Sequence, residues 1–409
     1  RDYTKLDAPE MRALVRVLDQ WRPDLYFDLH VTDGADYQYD ITFGWNGPNA
    51  LSPAISTWLG DTLRPALDRD LTARGHIPGP LVQFVDGDDP RQGIFEWTAT
   101  ARFSHGYGDA RHLPSILVEN HSLKPYRQRV LGTRVLLESA LRTLADPAAA
   151  ERLRAAERSD RARRPNELPL GWRPSSDQGS MSFRGVTWRT SKSAISGATR
   201  IEWLGGTETT EIPIVRVVEP TVKARRPVAY WVAAAWPEVI ERLSVHGIAF
   251  ERITTATTVE VEVDRIVKAE LPKDASGVFE GRVPIEVERR IERSRETFAP
   301  GSVRVPTDQV LGDLVMLLLE PASGDSFLRW GFFMEPLQRT EYAENYVMEP
   351  MAEKMLAEDP ALRAEFEKRL AEDPAFAASP AERLDFFYRK TPFLDAREGL
   401  IPVAREVVK

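Results

Sequence analysis

Two residues near the end of a predicted strand have side chains that could bind a metal. His30 lies in residues 25–31, which are rich in strand-forming residues, and Asp28 precedes it by two positions. Side chains at i and i+2 of a strand share a face, so Asp28 could orient the imidazole while His30 binds a metal. A hydrogen-bonded histidine at a strand end is the simpler interpretation of this pair alone. Asp33 adds a local H-x-x-D, although Gly34 beside it indicates a loop.

A third candidate, Glu119, follows the apolar run 115–118. A carboxylate at the end of a buried strand either belongs to a structural network or acts as a general base, and the residues leave both open. Beside a zinc ion it would take a proton from metal-bound water, whose pKa zinc lowers to about 7. His121 would share the face of Glu119 if the strand continues, and would support that carboxylate by a hydrogen bond.

Tyr107 stands between two glycines in residues 104–109, a segment expected to form a glycine-rich loop. A mobile tyrosine in such a loop could close over a substrate and donate a hydrogen bond. An exposed tyrosine that only packs against its neighbours is the alternative. His246 follows a predicted helix, and we expect it to contact the carboxyl end of that helix.

Helical and strand patterns alternate around these candidates, which predicts an α/β layer architecture for residues 1–160. Residues 34–47 are expected to form mostly loop. Helices are predicted at 9–21, 54–74 and 125–144, and strands at 25–31, 81–85 and 115–119.

Beyond a boundary near residues 155–165 the pattern changes. Alternating β-branched segments bounded by Gly or Pro predict a β-rich second domain over 161–336, interrupted by a short helix at 236–246. A helical tail is expected over 337–409. The predicted strands of the second domain are 181–190, 198–203, 208–218, 228–233, 254–268 and 277–287, and the predicted tail helices are 349–356, 360–372 and 380–388.

Composition excludes several classes of function. The 409 residues carry 54 Lys and Arg against 62 Asp and Glu, a net charge of −8, which argues against a duplex nucleic-acid partner. The absence of cysteine excludes disulfides, thiolate metal sites and a cysteine nucleophile. The longest apolar runs are far shorter than the roughly 20 residues that span a bilayer, so no membrane span is expected.

Three segments of the sequence resemble the carboxypeptidase A-like zinc metallocarboxypeptidases, especially bacterial members with a long C-terminal extension. These segments are RDYTKLDAPE at 1–10, PDLYFDLHV at 23–31 and PSILVENHSLKPYRQRV at 114–130. Residues 297–309, 317–321, 327–333 and 346–356 resemble the C-terminal region of such peptidases.

The resemblance implies a partial three-layer α/β/α zinc carboxypeptidase-type domain, followed by the β-rich domain and the helical tail. It also implies a role for each candidate. Arg1 would bind the terminal carboxylate of a peptide substrate, His30 would be the third zinc ligand, and Glu119 would be the general base. Tyr107 is similar to the mobile substrate-gating tyrosine of the family.

The chain departs from the family in one motif. The first two zinc ligands come from H-x-x-E, and none of the six histidines is followed by Glu at the third position. The resemblance therefore implies one Zn²⁺ with two ligands upstream of Arg1, a secreted or periplasmic hydrolase as the whole protein, and an inactive enzyme as this chain alone. The alternative is a non-catalytic protein that binds peptide or glycan through its β-rich domain.

Overall fold

The computed structural model describes residues 1–271, 281–338 and 342–407. Its helices are α1 Pro9–Trp21, α2 Pro53–Trp58, α3 Arg64–Ala73, α4 Ser104–Arg111, α5 Tyr126–Ala145, α6 Pro147–Ala162, α7 Pro237–Val245, α8 Gly312–Leu319, α9 Asn345–Glu358, α10 Pro360–Glu372, α11 Pro374–Ala378 and α12 Pro380–Tyr388. Its strands are β1 Tyr26–Val31, β2 Ile41–Gly44, β3 Pro78–Gly79, β4 Ile94–Trp97, β5 Ser115–Asn120, β6 Glu167–Pro174, β7 Gly179–Lys192, β8 Thr199–Arg225, β9 Ala229–Val232, β10 Glu251–Arg252, β11 Thr257–Glu270, β12 Glu286–Phe298, β13 Val303–Pro306 and β14 Leu400–Glu406. Among these residues no helix is long and apolar enough to cross a bilayer.

A four-stranded sheet in the order β1-β5-β2-β3 organises the first part of the chain. Strand β5 runs parallel to β1 and antiparallel to β2. Ile116 and Val118 alternate along β5 and are fully buried, and they pack with Leu67 of α3 and Leu136 of α5 in one core. The α2–α3 and α5–α6 helices therefore take their positions from the apolar face of this sheet.

The other core joins the first part of the chain to the second. Val15 of α1 and Ala110 of α4 belong to the same buried cluster as Val232 of β9, Leu243 of α7 and Leu314 of α8. This packing requires both halves of the sequence to be folded together. The mixed α/β class is confirmed, while the carboxypeptidase-type domain and the limits 1–160, 161–336 and 337–409 stay predictions.

The second part is rich in strands, as the alternating sequence predicts. Strands β10-β13-β9-β14-β11-β12 form a six-stranded sheet, and β4-β8-β6 form another, with β7 paired to β8. The segment at 254–268, the clearest alternating pattern, becomes β11, and the helix expected at 236–246 becomes α7. Part of the strand predicted at 277–287 lies outside the described residues.

Four predicted segments differ from the structure. Residues 81–85 form no strand, and only Phe84 makes an isolated bridge, to Ile94. The expected loop at 34–47 contains β2, which completes the hydrogen bonding of β5. The helical tail ends in β14, because its apolar residues fill the space between β9 and β11. The fourth is the glycine-rich segment 104–109.

The glycines at 104–109 serve close packing, since the segment is the buried helix α4 and the predicted loop is wrong. A Cβ on Gly106 would stand 2.1 Å from the carbonyl oxygen of Thr100, and one on Gly108 would stand 1.9 Å from Oγ of Ser115. The absence of side chains lets α4 press against the segment before it and against β5. Glycine can indicate tight packing as well as mobility.

Candidate active site

His30 and Glu119 meet at the carboxyl ends of two neighbouring parallel strands. The register of β1 and β5 begins with Tyr26 opposite Ser115 and brings His30 opposite Glu119 near its end. Register partners on adjacent strands project from the same face of a sheet. The His30 side chain is half exposed, at 51%, so one edge of the pair faces solvent.

Asp28 orients His30, as the i, i+2 spacing predicts. Oδ2 of Asp28 lies 2.9 Å from Nε2 of His30. A carboxylate this close to one ring nitrogen restricts the orientation of the imidazole and leaves Nδ1 for another partner. The arrangement suits a histidine that contacts a substrate or a metal through Nδ1.

Glu119 is partly buried, and the pKa of its carboxyl is raised. The pKa of its carboxyl is raised from the ordinary 4.5 to about 7, chiefly by burial; the charge of His30 lowers it, and the charges of Asp33 and Asp28 raise it. Its buried Oε2 has no hydrogen-bond partner in the part of the chain that the structure describes. A carboxyl whose pKa lies near neutrality can both accept and return a proton.

Two residues that sequence reasoning missed stand around this pair. Tyr37 is buried, and its pKa is raised chiefly by burial and further by the charge of Glu119. His105 of α4 is fully buried, and burial lowers its pKa to about 4, with Asp28 raising it and His30 lowering it. His105 stands beside the glycines in the sequence, but no pattern there indicated an electrostatic interaction with His30 and Asp28.

A row of aromatic contacts runs from Arg1 to His105 of α4. Its guanidinium carbon lies 5.6 Å from the centre of the Phe103 ring. The Phe103 ring contacts Trp97 edge-on at 4.9 Å, and Trp97 contacts His105 edge-on at 5.5 Å. These contacts place the Arg1 guanidinium beside Phe103, and its role as a carboxylate-binding group stays a prediction.

Tyr107 lies elsewhere, in the core between the two halves of the chain. It is 1% exposed, its hydroxyl is 2.8 Å from Nδ1 of His246, and Nη1 of Arg111 donates to it at 3.0 Å. His246 directs Nε2 at the carbonyl of Thr4, at 3.2 Å, so that nitrogen carries the proton and Tyr107 donates to Nδ1. The ring and hydroxyl of Tyr107 are both held in the core, which differs from the loop position expected, and the substrate-gating role stays a prediction.

His121 and His246 also have structural partners. Strand β5 ends before His121, whose Nδ1 accepts from the backbone N–H of Leu123 at 3.1 Å and whose Nε2 lies 3.1 Å from Asp36. These contacts hold the loop before β2, and the described hydrogen bonds of His121 do not include one to Glu119. His246 caps the carboxyl end of α7, as predicted.

The donor groups present do not fit a zinc ion by themselves. Among residues 1–271, 281–338 and 342–407, no group of three or more His, Asp or Glu side chains could hold a metal. A catalytic zinc site uses three protein ligands and a water. His30 offers one ring nitrogen, and Asp28 is occupied in orienting it.

Comparison with known proteins finds three fungal relatives named "Carboxypeptidase 2". The one from Trichophyton rubrum is 30% identical over 113 residues, which is 28% of this chain and 20% of the relative. Those from Trichophyton tonsurans and Trichophyton equinum are each 29% identical over 106 residues, 26% of this chain and 19% of the relative. The match thus spans about a fifth of the relatives' length.

Other comparisons add no match. No family model matches the chain. No solved structure matches it at a significant level. Over about a quarter of its length, the chain is similar to carboxypeptidases.

Proposed function

We propose that this chain carries part of the active site of a carboxypeptidase-type hydrolase, with Glu119 as the group that transfers protons. The observation that carries the proposal is the pairing of Glu119, whose pKa is about 7, with the oriented His30 at the carboxyl end of β5. The similarity to proteins named "Carboxypeptidase 2" supports a peptide as the substrate.

Each protein group has a separate task in this proposal. Glu119 accepts a proton from the attacking water and returns it to the leaving amine, which its near-neutral pKa allows. His30, held by Asp28, presents Nδ1 at the exposed edge of the site. Arg1 binds the carboxylate at the end of the peptide, because a guanidinium matches the two oxygens of that group.

Zinc would take His30 as one ligand and needs further ligands that the described residues do not supply. When bound, the ion would polarise the scissile carbonyl and lower the pKa of a water molecule. The roles proposed for Glu119 and His30 are supported by the register of β1 and β5, and the role proposed for Arg1 by the resemblance of residues 1–10 to the family.

The test is hydrolysis of a peptide pair by the full-length gene product that contains this sequence. One peptide has a free carboxyl end, and its control has the same sequence with an amidated end. We expect release of single residues from the free peptide only, followed by mass spectrometry. Arg1→Gln should raise KM for that peptide, whereas Arg16→Gln, an exposed arginine on α1, should not. Binding of both peptides without release would instead support a non-catalytic binding protein and overturn the proposal.

A further inference from the structure

A cavity between α1, α4, α6 and residues 309–311 is lined by charged groups that the proposed active site does not use. Its volume is about 220 Å³, larger than the roughly 150 Å³ cavity that holds benzene in another protein. Leu113, on its wall, precedes the amino end of β5, while Glu119 lies at the carboxyl end. A strand of this length spans roughly 20 Å, so the cavity is separate from the proposed active site.

The lining of the cavity has an excess of positive charge. Arg22 of the α1 terminus, Arg111 of α4 and Arg161 of α6 all line it, and Asp19 is the acidic residue among the lining residues. Three arginines from separate parts of the fold therefore line one shared space. We propose that this cavity binds a small organic anion, specifically a carboxylate that carries a short apolar chain.

Arg111 is the fixed cation at the base of the site. It is 8% exposed, and Nη1 donates to the Tyr107 hydroxyl at 3.0 Å and to the carbonyl of His246 at 2.7 Å, while Nη2 donates to Asp19 at 3.0 Å. Arginine has five N–H donors. Within the described part of the chain these three hydrogen bonds leave donors of Arg111 for a ligand, and its guanidinium is held in place before the ligand arrives.

Arg22 adopts a backbone conformation that favours glycine. It ends α1 with φ 46° and ψ 61°, in the left-handed region. Glycine is the usual residue at such helix ends because it has no Cβ to strain the turn. The turn itself would be more stable with glycine, and the arginine that occupies it lines the cavity.

The apolar side chains that line the cavity favour a ligand with an apolar chain. Leu18, Leu113 and Leu311 line the cavity beside the arginines, and Val310 is 42% exposed at its edge. An inorganic anion gains no binding free energy from these apolar side chains. An alkyl chain that packs against them gains roughly 25 cal/mol for each Å² of apolar surface buried. The combination indicates one anionic head group and an apolar body of a few carbons.

Titration calorimetry at fixed ionic strength, with the whole chain, tests this assignment. The probes are hexanoate, acetate, inorganic phosphate and hexanol. We expect hexanoate to bind more tightly than acetate, and hexanol not to bind at millimolar concentration. Phosphate binding as tightly as hexanoate would overturn the carboxylate-with-apolar-chain assignment, and the absence of hexanoate binding at millimolar concentration would overturn the site.

Substitutions locate the binding in this cavity. Arg161→Ala should weaken hexanoate binding about tenfold, the loss expected from one charge-assisted hydrogen bond. Arg158→Ala is the matched control, since Arg158 lies on the same helix but is paired with Glu151 on the surface. Asp19→Asn should tighten binding several-fold, because it removes a competing negative charge while its amide oxygen still accepts from Arg111.

The variant Arg22→Gly distinguishes an effect on hexanoate binding from an effect on the stability of the fold. We expect weaker hexanoate binding together with a Tm that is unchanged or higher, because glycine relieves the left-handed turn. Equal hexanoate affinity in Arg22→Gly, Arg161→Ala and the unmodified protein would overturn the proposal.

Discussion

His30 and Glu119 are register partners on β1 and β5, and they occupy the end at which the two strands meet solvent. Strand pairing holds both Cα atoms, so the relative position of the imidazole and the carboxyl is set by the sheet. The two side chains differ in environment, since His30 is half exposed while Oε2 of Glu119 is buried. This difference leaves the imidazole open to solvent and gives the buried carboxyl its raised pKa.

The first prediction concerns pH and stability. Between pH 4.5 and about 7 the folded protein holds a proton on Glu119 that the unfolded chain has lost. The folded state binds more protons, so this residue's contribution to the free energy of unfolding falls as the pH rises through that window. Glu119→Gln removes the contribution. The difference in stability between the unmodified protein and the variant should therefore decrease from pH 4.5 to 7.

Urea denaturation of both proteins across that range measures the difference. Subtracting the two curves also removes the opposite contribution of His105, whose lowered pKa makes stability rise with pH. A difference that grows with pH would contradict the raised pKa of Glu119.

The second prediction concerns zinc. This chain should bind Zn²⁺ weakly, because the described residues include no group of three His, Asp or Glu that could hold a metal. Calorimetric titration should show no tight stoichiometric site, and His30→Ala should weaken any residual binding. Tight binding at one ion per chain would contradict this and direct attention to Asp28, Asp33 and His121 as ligands.

The third prediction concerns Tyr107. Tyr107→Phe removes the hydroxyl that accepts from Arg111 and donates to His246, which leaves Nδ1 of His246 and one N–H of Arg111 without that hydrogen bond. The expected loss is about 1–3 kcal/mol in the free energy of unfolding, with KM for a peptide unchanged. Tyr126→Phe, at an exposed tyrosine on α5, should change neither quantity. A raised KM with full stability would restore the substrate-gating role.

The fourth prediction concerns limited proteolysis. The stretch 155–165 lacks a packing pattern in the sequence, yet α6 buries Ala156 and the side chain of Asp160, which accepts from the backbone N–H of Ile55 at 2.8 Å. The turn between β7 and β8 is exposed, with Ile195 at 97%. Among the described residues, trypsin should therefore cut after Lys192 before it cuts within α6. An earlier cut within 155–165 would support an independent domain boundary there.

Strong periodic patterns allowed most elements of the fold to be predicted. The helix at 9–21 and the strand at 115–119 were found because their apolar residues repeat at 3.6 and at two positions. Helix α4 was missed because its two glycines are ordinarily poor helix formers. Their benefit is close packing against Thr100 and Ser115, which depends on partners that local sequence does not show.

The candidate site was predictable where a pattern within a single strand marks the residue. The contact of Asp28 with His30 follows from strand alternation, and Glu119 was found at the end of an apolar run. Tyr37 and His105 reach the site from other elements, through the loop before β2 and through α4. Their positions are set by tertiary packing, so no spacing in the sequence predicts them.

The turnover of Glu119→Gln shows whether Glu119 transfers protons during hydrolysis. Glutamine keeps the size of the side chain but cannot accept a proton, whereas general acid–base catalysis contributes about 10²–10⁴-fold. With the full-length gene product and a peptide with a free carboxyl end, we expect kcat to fall at least about 10²-fold while KM stays within a few-fold. Near-normal kcat in Glu119→Gln would contradict the account and make Glu119 a structural residue.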